Sequence, residues 1–224
     1  MSDADLPLSA TPRTGLRRMK EKGHSDRSAL FDVLRASFVC HLGVLVDGYA
    51  MVVPTVYGFD DKHLYLHGSV ASRSLTTGAE VCATVTVVDG LVLARSVFEH
   101  GVNYRSAMVY GLPRWVTDPD EKLHGLRTLT EHVAPGQWDY ARQPNRKELA
   151  ATALLALPLT EASVKTRSGP PDDGDSPDAE RGNWAGELPL IARWQQPLAD
   201  PALPATVPVP AHVAARVGTR VDKP

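Results

Sequence analysis

The pattern of apolar and polar positions between residues 38 and 116 predicts a mainly β fold. Two runs rich in β-branched and aromatic side chains flank Asp47 and Gly48, a dipeptide that favours a two-residue hairpin turn. Asp89 and Gly90 predict a second turn of this kind, after an almost continuous β-branched run that is typical of a central, buried strand. The later runs allow the sheet to curl into a small barrel with flanking helices. Strands are predicted over residues 38–45, 49–57, 63–68, 80–88, 91–93, 106–116, 154–159 and 163–167.

Helical spacing of apolar residues marks the segments around these strands. Residues 25–36 begin with Ser-Asp, and residues 119–133 follow Asp118. Each segment therefore predicts an amphipathic helix with an N-cap. A further helix is expected to begin near Asn145, and residues 69–78 are expected to form a short loop and helix.

Changes in composition divide the chain into one domain with tails. We expect residues 1–14 to be a flexible N-terminal segment and residues 15–192 to be the folded domain. Within it, residues 168–183 are rich in Gly, Pro, Asp and Ser and predict a mobile acidic loop. Residues 193–224 are rich in Pro and Ala, which predicts an extended arm that is poorly ordered or wraps a partner subunit.

Charge and cysteine content exclude several classes of function. The chain has 224 residues, a formal net charge of -2 and 43% apolar residues, which argues against binding to nucleic acid or an anionic membrane surface. No apolar run is long enough to cross a bilayer, and the acidic start lacks a signal pattern, so we expect a soluble, cytoplasmic protein. Cys40 and Cys82 predict small buried residues, and His41, His67 and His100 lack the paired spacing of a metal site.

Four segments of the chain form a motif set that is more specific than any one of them: residues 48–57 (GYAMVVPTVY), residues 64–69 (LYLHGS) with Ser72 and Arg73, residues 98–106 (FEHGVNYRS) and residues 163–171 (SVKTRSGPP). Over residues 15–192 the chain thereby resembles the pyridoxamine 5′-phosphate oxidase-like superfamily, and within it the branch of the nitroimidazole-resistance reductases. The resemblance implies a six-stranded split barrel that forms a homodimer, with one FMN in each of two clefts at the subunit interface.

The FMN phosphate needs hydroxyl donors, a close backbone approach and a guanidinium. Residues with these groups lie at the end of the third predicted strand and directly after it. Relatives often have a second cation after the arginine, where this chain has Ser74. The candidates for the phosphate are His67, Gly68, Ser69, Ser72 and Arg73.

The flavin ring needs hydrogen bonds along its pyrimidine edge and an apolar floor. The candidates along the predicted strands are Val53, Pro54, Thr55, Thr84, Ser106 and Lys165. Pro54 is also consistent with an ordinary edge strand, Thr84 with a simple strand former, and Lys165 with a solvated side chain. Trp184 resembles the tryptophan that stands beside the cofactor in the oxidase itself. Residues 186–190 lack the Arg and His that hold the vitamin phosphate there, which argues against that enzyme's own reaction.

The resemblance implies an FMN-dependent oxidoreductase that reduces a small aromatic or nitro compound. His100 is the candidate acid–base group, and Tyr104 is a second catalytic candidate, as a cleft residue that contacts the flavin or the substrate. Without a Gly-x-Gly-x-x-Gly fingerprint, NAD(P)H is expected to bind only transiently. Two alternatives stay open: a non-catalytic flavin-binding protein, and a split barrel that uses a deazaflavin or haem, with His67 or His100 as the axial ligand.

Overall fold

The computed structural model describes residues 7–15, 22–24, 26–75 and 77–222. These residues form ten strands and five helices. The strands are β1 (Gly23–His24), β2 (Val39–Val46), β3 (Tyr49–Phe59), β4 (His63–Ser69), β5 (Val81–Leu93), β6 (Gly101–Gly111), β7 (Arg114–Trp115), β8 (Thr152–Pro158), β9 (Glu161–Arg167) and β10 (Gly186–Pro189). The helices are α1 (Arg27–Arg35), α2 (Pro119–Val133), α3 (Gln137–Tyr140), α4 (Arg146–Ala151) and α5 (Ala211–Ala214).

All ten strands belong to one antiparallel sheet in the order β1-β9-β6-β5-β2-β3-β4-β8-β7, with β10 paired to β5. The sheet curls around a core of aliphatic side chains, so the prediction of a mainly β split barrel is confirmed. The strand count exceeds the expected six, in part because the short strands β1, β7 and β10 extend the sheet.

The two Asp-Gly dipeptides have different structures. Asp47 and Gly48 have positive φ angles of 51° and 81° and connect β2 to β3 as a hairpin turn, as predicted. The turn predicted at Asp89 and Gly90 is wrong, because β5 continues through both residues with a bulge between Val88 and Gly90. The residues after the bulge pair with β6 on one side and with β10 on the other.

Helices α1, α2 and α4 begin close to the predicted positions, although Asp26 at the start of α1 makes no side-chain cap hydrogen bond. Asp118 accepts a hydrogen bond from the backbone of Glu121 at the start of α2, and Asn145 forms a capping box at the start of α4. Helix α2 packs on β3 so closely that a Cβ on Gly58 would overlap the helix backbone. The helix predicted within residues 69–78 is wrong for its described residues, which form turns.

The tails of the predicted domain contact its body. Arg13 forms ion pairs with Glu80 and Glu161 and so ties the described part of the N-terminal segment to β9; residues 1–6 of the predicted flexible segment lie outside the described residues. The C-terminal arm includes α5, and Arg216 donates a hydrogen bond to the backbone oxygen of Val133 at the end of α2. Contact of the arm with a partner subunit stays a prediction.

No helix in the described part of the chain is long and apolar enough to cross a membrane.

Candidate functional site

A split between β3 and β4 brings two of the predicted motifs opposite each other. The two strands pair only at residues 57–59 and 64–66, and the register begins at the pair Tyr57 and Leu66. Beyond that pair they diverge: β3 stays with β2, whereas the end of β4 stays with β8. The β3 edge over residues 49–56 therefore has no strand partner on its β4 side among the described residues, and its backbone groups are available to a ligand.

The loop after β4 holds the predicted phosphate residues in a compact turn. Ser69 accepts a hydrogen bond from the backbone of Ala71 at 3.2 Å, and the hydroxyls of Ser72 and Ser74 lie 3.1 Å apart. Gly68 leaves the space that the side chain of Leu75 fills, since a Cβ would lie 2.8 Å from Leu75 Cδ1. Packing inside the protein thus accounts for this glycine, and a ligand is not needed to explain it.

Arg73 is the exposed cation at this end of the split. Its side chain is 71% exposed and forms an ion pair with Asp47, in the β2–β3 turn. An exposed ion pair of this kind is weak, so the guanidinium can exchange one anionic partner for another.

The outer face of the sheet, which points away from the core, carries the second group of predicted residues. Register places Pro54, His41 and Thr84 side by side on β3, β2 and β5. Ser106 and Lys165 are direct neighbours on β6 and β9, two residues further along the strands. The apolar residues on this face are exposed in a single chain: Leu45 (60%), Val52 (66%) and Val88 (42%). The face combines these exposed apolar side chains with a few polar groups, a mixture that suits an organic ligand.

Val53 and Thr55 do not share this face. They pair with Leu42 and Cys40, which point into the core, so only their backbone groups reach the open edge of β3. The Thr55 hydroxyl lies 3.4 Å from the backbone oxygen of Val56.

His67 is held as a neutral imidazole. Burial lowers its pKa, and its Nδ1 atom is buried without a hydrogen-bond partner. It pairs with Leu154 of β8, whose side chain is fully buried. A neutral ring gives no positive charge to a phosphate, but it has the protonation state of a metal ligand.

His100 and Trp184 lie away from the split. His100 is exposed at the tip of the β5–β6 hairpin, where its Nδ1 atom accepts a hydrogen bond from the backbone of Ala94 at 3.0 Å. Trp184 is 68% exposed just before β10. Tyr104 is on β6, four residues after His100 and two residues before Ser106 in the sequence. The single chain thus assembles the predicted cofactor strands but keeps His100 and Trp184 apart from them.

A family model described as pyridoxamine 5′-phosphate oxidase matches residues 26–166. The chain belongs to the pyridoxamine 5′-phosphate oxidase-like family. The matched range contains β2–β6, β8 and the candidate cofactor residues up to Lys165. No curated protein matches the chain at a significant level.

Two solved structures extend the similarity to the tails, and a third shares the fold alone. The flavocytochrome Anf3 from Azotobacter vinelandii is 33% identical, with a TM-score of 0.88, over 95% of this chain and 100% of that one. The FAD and haem binding protein from Mycobacterium smegmatis is 36% identical, with a TM-score of 0.84, over 89% of this chain and 98% of that one. A 5-nitroimidazole resistance protein from Bacteroides thetaiotaomicron shares the fold at 20% identity, with a TM-score of 0.54, over 64% of this chain and 85% of that one.

Asn103 is a buried polar residue that was not among the candidates from the sequence. Residues 101–103 precede the strand predicted over 106–116, whereas in the structure they begin β6. The side chain of Asn103 donates hydrogen bonds to Glu187 at 2.6 Å and to the backbone oxygen of Gly169 at 3.1 Å, and accepts one from Arg167. In the sequence, Asn103 was distinguished only by its position within the motif at residues 98–106.

Proposed function

We propose that this chain is a flavin-dependent oxidoreductase that binds its cofactor in the split between β3 and β4. The observation that carries the proposal is the placement of two motifs, at residues 53–55 and 67–73, on the two strands that diverge beyond the pair of Tyr57 and Leu66. One side offers unpaired strand backbone, and the other offers a loop with hydroxyl groups and a guanidinium.

The loop side would hold the flavin phosphate. Ser69, Ser72 and Arg73 supply hydroxyl and guanidinium donors, which form charge-assisted hydrogen bonds with phosphate oxygens. Arg73 would leave Asp47, an exchange that costs little because both side chains are more than 70% exposed.

The strand side would hold the flavin ring. The open edge of β3 would bind the polar rim of the ring through backbone groups. Thr84, Ser106 and Lys165, on the outer face of β5, β6 and β9, would contact the rim or a substrate. A bound flavin supplies hydride and electron transfer. The chain's own residues would orient the reactants and exclude water.

The reaction we propose is reduction of a small aromatic or nitro compound by NAD(P)H. An open, mostly apolar face can receive a nicotinamide and then a flat aromatic acceptor in turn. The cofactor proposed from the sequence is FMN. The relative from M. smegmatis is described as binding FAD, which has the same ring and a longer phosphate tail.

A specific observation favours haem as a second cofactor. Two similar solved structures are those of a flavocytochrome and of an FAD and haem binding protein. Burial lowers the pKa of His67, which favours the neutral ring that binds iron, and its buried Nδ1 atom has no hydrogen-bond partner among the described residues. His100 fits an iron ligand less well, because its Nδ1 atom already accepts a hydrogen bond from the backbone of Ala94. Bound haem would supply one-electron chemistry, and His67 would hold its iron.

A homodimer completes the proposal. In a single chain the outer face leaves Leu45, Val52 and Val88 exposed, and a second copy would cover them and wall the cofactor cleft. His100 and Trp184, which a single chain keeps away from its own split, are exposed and free to reach the partner's cleft.

The test starts with the absorption spectrum of the purified protein and chromatography of the cofactor that it releases on denaturation. Flavin bands, followed by oxidation of NADH or NADPH with a nitroaromatic acceptor, would support the proposed reaction. Flavin binding without turnover would leave a flavin-binding protein, and absence of flavin uptake by the stripped protein would refute the proposal. A Soret band that is lost in His67→Ala but kept in His100→Ala would support the second cofactor, and the reverse pattern would contradict it.

A further inference from the structure

The C-terminal arm encloses a cavity of about 490 Å³ against the ends of α1 and α2. Its volume lies within the range of small-molecule sites. The cavity opens near the start of β2 and lies outside the set of residues assigned above to the flavin. Its lining includes Arg35, Phe38, His132, Trp194, Ala215 and Arg216.

The wall formed by the arm is held in place by specific contacts. His212 Nε2 lies 3.0 Å from the side-chain oxygen of Gln137 in α3, and its ring packs against Tyr140. Gly136 permits this approach, since a Cβ there would lie 2.9 Å from His212. Trp194 stacks on Phe38 with ring centroids 5.9 Å apart. The cavity is therefore built by packing and is not a gap beside a loose tail.

Arg216 is a cation of this cavity without a carboxylate partner among the described residues. Its guanidinium lies 4.1 Å from the ring centroid of Trp194 and donates a hydrogen bond only to the backbone oxygen of Val133, at 2.9 Å. Burial lowers its pKa, as expected for a guanidinium that is partly removed from water. A guanidinium has five N–H donors, so most of its binding capacity is unused.

The acidic groups nearby are already engaged. Both carboxylate oxygens of Glu131 accept backbone hydrogen bonds, from Gly136 and Trp138. Asp222 accepts hydrogen bonds from Arg105 and Arg220. Neither carboxylate forms an ion pair with Arg216.

The two guanidiniums of the lining outnumber its one carboxylate, that of Glu131. Arg35 supplies the second guanidinium, which forms an ion pair with the exposed Asp32 on its own helix. His132 donates from Nε2 to the backbone oxygen of Ser37 and is kept neutral by burial. The floor is apolar and includes Pro135 and Val221.

We propose that this cavity binds a small organic anion, whose carboxylate or phosphate pairs with Arg216 and whose apolar body lies along the arm. The proposal goes beyond the flavin chemistry and does not depend on it, because none of the residues assigned to the flavin lines the cavity. It gives the arm a function: it supplies the cation and closes the site.

The test is isothermal titration of the full-length protein, as purified, with 1-naphthoate and phenyl phosphate as anionic probes and 1-naphthalenemethanol as a neutral one. We expect saturable binding of at least one anion, which Arg216→Met weakens about tenfold or more. Arg193→Met is the matched control, since Arg193 is on the same arm, donates one hydrogen bond to a backbone oxygen and does not line the cavity. It should leave binding unchanged.

A second variant keeps the test decisive if Arg216→Met does not fold. Ala215→Trp fills the cavity without changing a charge and should abolish binding. The proposal is wrong if neither anion binds below about 1 mM, if the neutral alcohol binds as well as the carboxylate, or if the two arginine variants lose affinity equally.

Discussion

The guanidinium of Arg167 donates a hydrogen bond to the side-chain oxygen of Asn103 at 2.6 Å, and this bond joins β9 to the start of β6. Through the other end of its amide, Asn103 also reaches Glu187 of β10 and Gly169. Only 6% of Asn103 is exposed. One amide therefore connects two strands of the barrel, the β10 strand and the loop that follows β9.

Replacement of this amide should destabilise the fold more than its size suggests. In Asn103→Ala the partly buried Arg167 and the exposed Glu187 each lose a hydrogen bond to the amide, and each bond of this kind contributes about 0.5–1.5 kcal/mol. Urea unfolding of the variant should show a lower midpoint, with Asn183→Ala as the exposed control. An equal midpoint for the two variants would show that the network contributes nothing to stability.

The close approach of β10 to β5 predicts an effect of a single methyl group. A Cβ on Gly90 would lie 2.7 Å from the backbone oxygen of Leu188 and 3.1 Å from Pro189 Cα, so Gly90→Ala must displace β10. We expect a loss of about 1–3 kcal/mol in the free energy of unfolding and faster amide exchange in β10. Gly174→Ala is the control, because no atom lies within 4 Å of its added Cβ. Unchanged exchange in Gly90→Ala would contradict the close packing.

The ion pair of Arg73 and Asp47 predicts opposite effects of two substitutions on flavin affinity. If Arg73 binds phosphate, Arg73→Ala should weaken FMN about tenfold or more and leave riboflavin, which lacks the phosphate, almost unchanged. Asp47→Asn frees the guanidinium and should tighten FMN. Fluorescence titration of the stripped protein measures both affinities, with Arg127→Ala as the exposed control. Equal losses for FMN and riboflavin would remove Arg73 from this role.

The contact between the N-terminal segment and β9 should depend on pH. Hydrogen bonds from Arg13 and Thr11 lower the pKa of Glu161 from 4.5 to about 2. A carboxyl group whose pKa is lower in the folded state stabilises that state fully above its ordinary pKa and loses the effect as the pH falls toward the folded value. Melting temperatures should therefore fall between about pH 4.5 and pH 2, and less steeply in Glu161→Gln. Parallel curves would show that this carboxylate is not linked to stability.

Local sequence patterns predicted the parts of the fold that local chemistry determines. Asp47-Gly48 forms a turn because both residues adopt positive φ angles within a hairpin. Asp89-Gly90 has the same two residue types and no turn, since β10 arrives from far along the chain and extends β5 beyond them. The local pattern gave the approximate strand ranges, but it did not give the pairing of strands that are far apart in the sequence.

The same limit applies to the candidate site. The motif residues at 53–55 and 67–73 were identified from the sequence, and the structure brings their strands to the two sides of one split. The partner of Arg73, the neutral state of His67 and the cavity at Arg216 depend on which side chains fold against them. The spacing of residues along the sequence does not predict these contacts.

The pairing of β10 with β5 also determines the order in which the sheet can be completed. Leu188 pairs with Leu91, about a hundred residues earlier in the chain, so a ribosome has to continue about a hundred residues beyond β5 before this edge is covered. Until then the edge exposes unpaired backbone groups beside apolar side chains, an arrangement that invites pairing with other chains. A chain that ends before Gly186 would keep this edge open permanently, so its aggregation, rather than its activity, would report the loss of β10.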